Sequence, residues 1–232
     1  MHRPEEKPLE LKAEQISKRY FRKTGDANHF YAVKPLSMKL EPGTVTVLCG
    51  RSGSGKTTLL HMLSGLLRPT EGEVRLGETE LYSLPDGELS RLRNRAIGVV
   101  PQARSVLDIL TVEENILLPQ TLYGTEKERG CAERWMDMLH ILHLKDARAG
   151  ELSGGELRRT AIARTLCMQP SILLADEPTG DLDDENTELV FRCLRKAAEE
   201  QAAVLIVSHE ADALKIADHA YRMDAGEITT IL

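Results

Sequence analysis

The chain has 232 residues, room for one domain with subdomains, and its make-up of 41% hydrophobic and 28% charged residues suits a water-soluble chain with a sizeable core. A net charge of -6 disfavours non-specific nucleic-acid binding, which needs a basic surface, and no stretch approaches the run of about 18 apolar residues that spans a bilayer. The four cysteines, Cys49, Cys131, Cys167 and Cys193, form no CxxC pair; this argues against a metal cluster or disulfide framework and for packed, reduced thiols.

Residues 1–10 are polar with two prolines and are expected to be a loose tail, leaving 11–232 as a single unit. The opening MHRPEEKPLE has no apolar h-region, so no signal peptide is expected. From there to Leu40 the pattern reads as strands and turns. Thr44–Leu48 is a short β-branched run leading into a glycine-rich loop. Thr57–Leu63 then has helical spacing, with Leu59, Leu60 and Leu63 on one side and Gly65 as the stop. Residues 66–100 read as short strands with turns at Pro69–Gly72 and Pro85–Gly87, ending in the strand Ile97–Val100. Arg91, Arg93 and Arg95 form the densest basic cluster, a solvated helix face or a local basic patch.

Val106 to Met168 reads as mostly helical, broken near Pro119, Gly124 and Gly150. Ser171–Ala175 and Val204–Val207 are continuous apolar runs, the mark of strands buried on both faces of a parallel sheet, with a helix at about Thr187–Glu200 between them. Tyr221–Met223 and Ile228–Ile231 flank Asp-Ala-Gly-Glu, a hairpin. The class is α/β with a helical insert.

Gly50-Arg51-Ser52-Gly53-Ser54-Gly55-Lys56-Thr57-Thr58 satisfies GxxxxGK[ST]. Its glycines let backbone N–H groups turn inward around a phosphate. Lys56 is a point charge for the β- and γ-phosphates, and the Thr57 hydroxyl suits Mg²⁺. The helix that follows offers its positive N-terminus to the same anion. A strand before and a helix after meet the context that the motif demands; the competing reading is a Gly/Ser-rich turn with an incidental lysine. Ile172–Ala175 ends in Asp176 and Glu177, two carboxylates with no place at a buried strand end unless the charge is used. Asp176 is placed to hold Mg²⁺, and Glu177 to act as general base on water; the bland alternative is a solvated strand end or helix cap.

Leu152-Ser153-Gly154-Gly155-Glu156 resembles the signature motif of ABC ATPases, and Ser-Gly-Gly before a helix is itself an anion site. The resemblance implies that this segment closes on the γ-phosphate held by a second copy of the chain. It also places Gln102 as the Q-loop glutamine, sensing γ-phosphate and Mg²⁺, Thr179–Asp183 as the D-loop with Asp183 at its acidic position, and His209 as the switch histidine. Tyr20 resembles the aromatic that stacks on adenine, with Phe21, Phe30 and Tyr31 as competitors. The implied fold is a RecA-like P-loop NTPase core with an antiparallel β subdomain and a helical insert at about 103–165. Two departures stand out: Leu157 follows the signature where the family usually has glutamine, and Ala149-Gly150 precede it where proline is frequent.

Asp-Glu-Pro-Thr-Gly-Asp-Leu-Asp at Asp176–Asp183, with Thr111-Val-Glu-Glu-Asn115-Ile-Leu-Leu-Pro119, is similar to the lipoprotein-releasing, macrolide-exporting and antimicrobial-peptide-resistance subfamily. That implies an ATP- and Mg²⁺-dependent homodimer in the cytoplasm, held on the inner face of the cell membrane by a separately encoded integral-membrane permease, with no nucleic-acid partner. Residues 103–123 would then form much of the groove for the permease, although Val106, Leu107, Ile109 and Leu110 suit a plain core equally well. The rival reading is a soluble or cell-division-type ABC ATPase with a regulatory role.

Overall fold

The computed structural model describes residues 8–21, 29–122, 129–180 and 182–232. The expected tail at 1–10 therefore lies largely outside the described residues, as does the expected helix break at Gly124.

Among the described residues the strands are β1 (Leu11–Phe21), β2 (His29–Leu40), β3 (Val45–Cys49), β4 (Glu71–Leu76), β5 (Thr79–Glu80), β6 (Ile97–Val100), β7 (Ile172–Asp176), β8 (Ala203–Ser208), β9 (His219–Asp224) and β10 (Glu227–Thr230). The helices are α1 (Lys56–Leu63), α2 (Asp86–Ala96), α3 (Val112–Leu122), α4 (Arg129–Met138), α5 (Gly154–Cys167) and α6 (Asp184–Glu199).

The strands form two sheets. One runs β10-β9-β3-β8-β7-β6 and is parallel except for the β9–β10 hairpin. The other, β2-β1-β4-β5, is antiparallel. Every residue of β7 and β8 is buried, as continuous apolar runs predict for strands covered on both faces. Alternation along them divides the core. Leu173, Ala175, Val204 and Ile206 face Val190, Phe191 and Leu194 of α6 and Ile162 and Leu166 of α5. Ile172, Leu174, Leu205 and Val207 face Leu59, Leu60 and Leu63 of α1 and the antiparallel sheet. The architecture is the α/β one expected: a RecA-like P-loop core, an antiparallel β subdomain and a helical segment.

Two local readings are corrected. Pro85–Gly87 is not a turn between strands; it opens α2, with Pro85 just outside, Asp86 and Glu88 in the first turn and Arg93 and Arg95 in the last, so the charges complement the helix dipole. The basic cluster thus sits on a helix. Pro119 does not break α3 but lies inside it; its neighbours Ile116 and Leu117 are buried in the core, and tertiary packing holds the helix through the missing N–H.

Asn115 of α3 is fully buried. Its Oδ1 accepts from the Leu107 N–H at 2.8 Å, and its Nδ2 donates to the carbonyls of Leu107, Leu110 and Thr111 at 3.0, 3.3 and 2.9 Å. The side chain shapes the 107–111 turn. Val106 tucks under that turn, while Leu107 and Ile109 point outward, the latter 78% exposed.

Asp218 ties α6 to the start of β3. It accepts the Val45 N–H at 2.8 Å, pairs with Arg195 and returns its own N–H to the Val45 carbonyl. Burial pushes its carboxyl up, but the Arg195 pair and the Val45 N–H outweigh this and hold it below the ordinary value. A depressed carboxyl stabilises the fold above the unfolded-state pKa of about 4 and ceases to as pH falls through the folded value. Asp218→Asn should therefore cost about 1 kcal/mol at neutral pH in urea titration, and the gap from the parent should close in acid below that range. A gap independent of pH would refute the ion-pair account.

Candidate active site

The glycine-rich loop leaves β3 pressed between two other elements. Gly50 has φ +155 and Gly55 has φ +110; a Cβ on Gly50 would sit 2.2 Å from the Met223 carbonyl oxygen, and one on Gly55 would sit 2.2 Å from that of Ala32. The β9–β10 turn seals the contact: the Gly226 N–H donates to the Ser54 carbonyl at 3.0 Å, and the Gly226 carbonyl accepts from the Lys34 N–H at 2.9 Å. Helix α1 begins at Lys56 with no side-chain cap and no acidic residue in its first turn. Its first N–H groups and its dipole thus face the loop, an arrangement that attracts an anion. Lys56 is 7% exposed and donates to the carbonyls of Gly50 at 2.7 Å and Arg51 at 3.0 Å.

At the adjoining end of β7, Asp176 is 3% exposed. Its Oδ2 accepts the Thr57 hydroxyl at 2.8 Å, whereas its Oδ1 is buried with no hydrogen-bond partner among the described residues. Burial raises its carboxyl above the ordinary value, against the opposing pull of the Thr57 hydroxyl. An orphaned carboxylate oxygen beside a hydroxyl is a pair of hard oxygen donors suited to Mg²⁺. No group of three His, Cys, Asp or Glu among the described residues is placed to hold a metal, so a cation here would draw further oxygens from a ligand's phosphates, as Mg²⁺ sites do.

Glu177 follows with φ +47, a left-handed backbone rare for a residue with a side chain. Its N–H donates to the Val207 carbonyl at 2.8 Å, which fixes the turn across the sheet. Its carboxylate Oε2 lies 2.9 Å from His209 Nδ1 and accepts from the His209 N–H at 3.4 Å. The next residue, Glu210, accepts the Thr179 hydroxyl at 2.7 Å, so one loop after β8 grips both ends of the segment 177–179.

These groups surround one cleft of about 1070 Å³. Arg51 to Thr58, Gln102, Asp176, Glu177 and His209 all line it. Gly50 lies in an adjoining hollow with Cys49 and His209. Of the aromatic candidates, Phe30 and Tyr31 line the cleft; Tyr20 does not, but stacks on Phe30 with ring centroids 5.9 Å apart. The structure thus brings Phe30 and Tyr31 to the wall, leaves Phe21 off it and sets Tyr20 against Phe30. Ala32, Arg158, Ala225 and Gly226 also line the cleft without having been singled out in the sequence. The Asp-Ala-Gly-Glu hairpin was the available signal for the last two; nothing in the motifs points to Arg158.

Leu152 to Glu156 lie outside the lining. Ser153 caps α5 in a capping box: its N–H and hydroxyl both donate to Glu156 Oε2, at 2.8 and 2.7 Å, and its Oγ accepts the Glu156 N–H at 3.4 Å. The Ser153 hydroxyl and amide hold the Glu156 carboxyl below its ordinary value. Ser153 and Gly154 are exposed, so this helix start is open to whatever approaches it. Asp183 is likewise outside the lining and caps α6 through the Asn186 N–H at 2.8 Å. Leu157, the departure after the signature, is buried with Val106, Ala149 and Ala161.

Comparison with known proteins places the sequence and the fold. The ABC transporter family matches residues 33–180. The chain is 37% identical over 206 residues to an uncharacterized ABC transporter ATP-binding protein, YvcR, of Bacillus subtilis, covering 88% of this chain and 79% of that protein. It is 36% identical over 197 residues to the lipoprotein-releasing system ATP-binding protein LolD of Saccharophagus degradans, covering 84% and 86%. Uncharacterized mycobacterial relatives, 34% identical, extend further: the chain spans 62% of their length. The dimeric structure of MJ0796, a bacterial ABC transporter cassette, superposes with a TM-score of 0.86 at 31% identity over 96% of this chain and 99% of that one.

Gly55→Ala should force the loop off the Ala32 carbonyl and strain the left-handed backbone by about 1–3 kcal/mol. Nucleotide affinity, read by calorimetry, should fall about 10-fold or more. Gly87→Ala, where an added Cβ meets nothing within 4 Å, should leave it unchanged. Equal affinities for both variants would contradict the close-approach account.

Proposed function

This chain belongs to the ABC transporter family, as an ATP-binding protein, and on that premise we propose that it hydrolyses ATP as a homodimer to drive an integral-membrane permease of the lipoprotein-releasing type. The observation that carries the reading is the convergence of Lys56, the Thr57–Asp176 pair and the Glu177–His209 pair on one cleft.

In this reading the loop amides and the α1 N-terminus hold the β- and γ-phosphates, and Phe30 and Tyr31, backed by Tyr20, supply an aromatic wall for the base. Lys56, already desolvated, trades loop carbonyls for phosphate oxygens. Thr57 and Asp176, with Gln102 in the same lining, would hold Mg²⁺, which would supply neutralisation of the phosphates' charge. Glu177 accepts a proton from the attacking water and orients it. His209 presents its ring beside that carboxylate and donates toward the γ-phosphate as charge develops.

The Ser153–Gly155 start of α5, exposed at Ser153 and Gly154, completes the cleft of a second copy, together with Asp183. The dimeric MJ0796 structure and the post-hydrolysis state of MJ0796 bound to ADP and Pi support that arrangement by likeness. The likeness to LolD supports the transport type. No helix among the described residues is long and apolar enough to cross a membrane; a permease would hold the chain at the inner face of the cell membrane, with Leu107 and Ile109 as its exposed apolar contacts.

Glu177→Gln should retain ATP binding, lower phosphate release about 100-fold or more and accumulate an ATP-bound dimer on size exclusion. Full turnover in this variant removes Glu177 as the base. Ser153→Arg should prevent that dimer when combined with Glu177→Gln, while each chain still binds ATP. A dimer that persists at unchanged ATP concentration would rule out the sandwich.

A further inference from the structure

Helix α5 does more than present the signature. Arg158, little more than a turn beyond Ser153, forks onto the loop that follows β6: Nη1 donates to the Pro101 carbonyl at 2.8 Å and Nη2 to the Gln102 carbonyl at 2.7 Å. Arg164 repeats the device further along, donating to the Ser105 carbonyl and hydroxyl, both at 2.8 Å. Burial lowers the Arg164 guanidinium from its usual value, and the two oxygens it grips, both of Ser105, are neutral. On the same helix, Leu157 and Ala161 pack against Val106. The loop carrying Gln102 is thus bound to α5 by two guanidinium forks and a small apolar core. The planar fork grips two acceptors in a fixed geometry that a lysine cannot reproduce.

We propose that Arg158 is a positioning residue for ATP hydrolysis, locking Gln102 to the helix that begins at Ser153, so that capture of Ser153 by a partner's nucleotide moves Gln102 within this chain's own cleft. The two points lie about 7.5 Å apart along one helix, and a hydrogen-bonded helix transmits displacement over that span as a rigid body. The departure at Leu157 acquires a reason, since an apolar side chain there seats the same loop. The proposal rests on the ATPase reading above.

The test is a double-mutant cycle in the full chain, with Arg158→Ala, Gln102→Ala and both, reading kcat and KM for Mg·ATP, ATP affinity and thermal melting. Arg158→Ala should lower kcat about 10- to 100-fold, the scale of a misplaced catalytic contact, with KM and ATP affinity within about twofold. The double variant should be no slower than Gln102→Ala, because Arg158 acts through Gln102. If Arg158→Ala does not fold, Arg158→Lys, which keeps the charge and loses the fork, carries the same cycle with the same expectation. Unchanged kcat in a folded Arg158 variant overturns the proposal. So does an independent loss in the double variant, which would mean that Arg158 touches nucleotide or acts on the fold alone. If the parent chain shows no turnover at all, the ATPase reading falls and this proposal with it, a result distinct from either of the others.

Discussion

The close approach of three backbone segments governs this molecule. Gly50 and Gly55 leave no room for a Cβ between the phosphate loop, the Ala32 carbonyl of β2 and the Met223 carbonyl of β9. The Ser54–Gly226–Lys34 chain of backbone hydrogen bonds locks the same three pieces. Because β2 belongs to the antiparallel sheet and β9 to the parallel one, this contact sets how the two sheets meet. It also brings Phe30 and Tyr31 over the loop. Phosphate grip and aromatic wall are thus consequences of one steric fit.

Around that fit the charges are distributed unequally. The Asp176 carboxylate is buried with one oxygen bonded and one orphaned, and Lys56 is buried against carbonyls. His209, its side chain 66% exposed, instead marks the rim, and Glu177, 13% exposed, meets it there from a left-handed backbone. The buried pair suits the static task of holding phosphate and cation; the rim pair suits proton movement near water. The backbone strain at Glu177 is offset by its N–H bond to Val207, which ties the turn to the strand that delivers His209.

How much of this was legible depended on whether the information was local. The phosphate loop reads directly because its glycines, lysine and threonine are contiguous and each spacing has a geometric reason. The parallel strands read from unbroken apolar runs. Helix α2 was masked because Pro85–Gly87 is equally good punctuation for a turn and for a helix start; the dipole-matched charges at its two ends were the discriminating signal. The order of the aromatics at the cleft could not be read, since which of Tyr20, Phe30 and Tyr31 lines it depends on how β1 and β2 pair. Arg158 was invisible for another reason: its acceptors are backbone carbonyls, which every residue has and no sequence advertises.

The Asn115 staple has an energetic consequence for Leu107 and Ile109. Exposed apolar side chains at the tip of a loose loop would surrender conformational entropy when covered, and much of the gain from burial would be cancelled. Here the four hydrogen bonds of one fully buried amide have already ordered the turn during folding. A surface that settles over Leu107 and Ile109 would find a preformed knob. The free energy of covering it would then go into affinity and into transmitting force, with little lost in stiffening the turn.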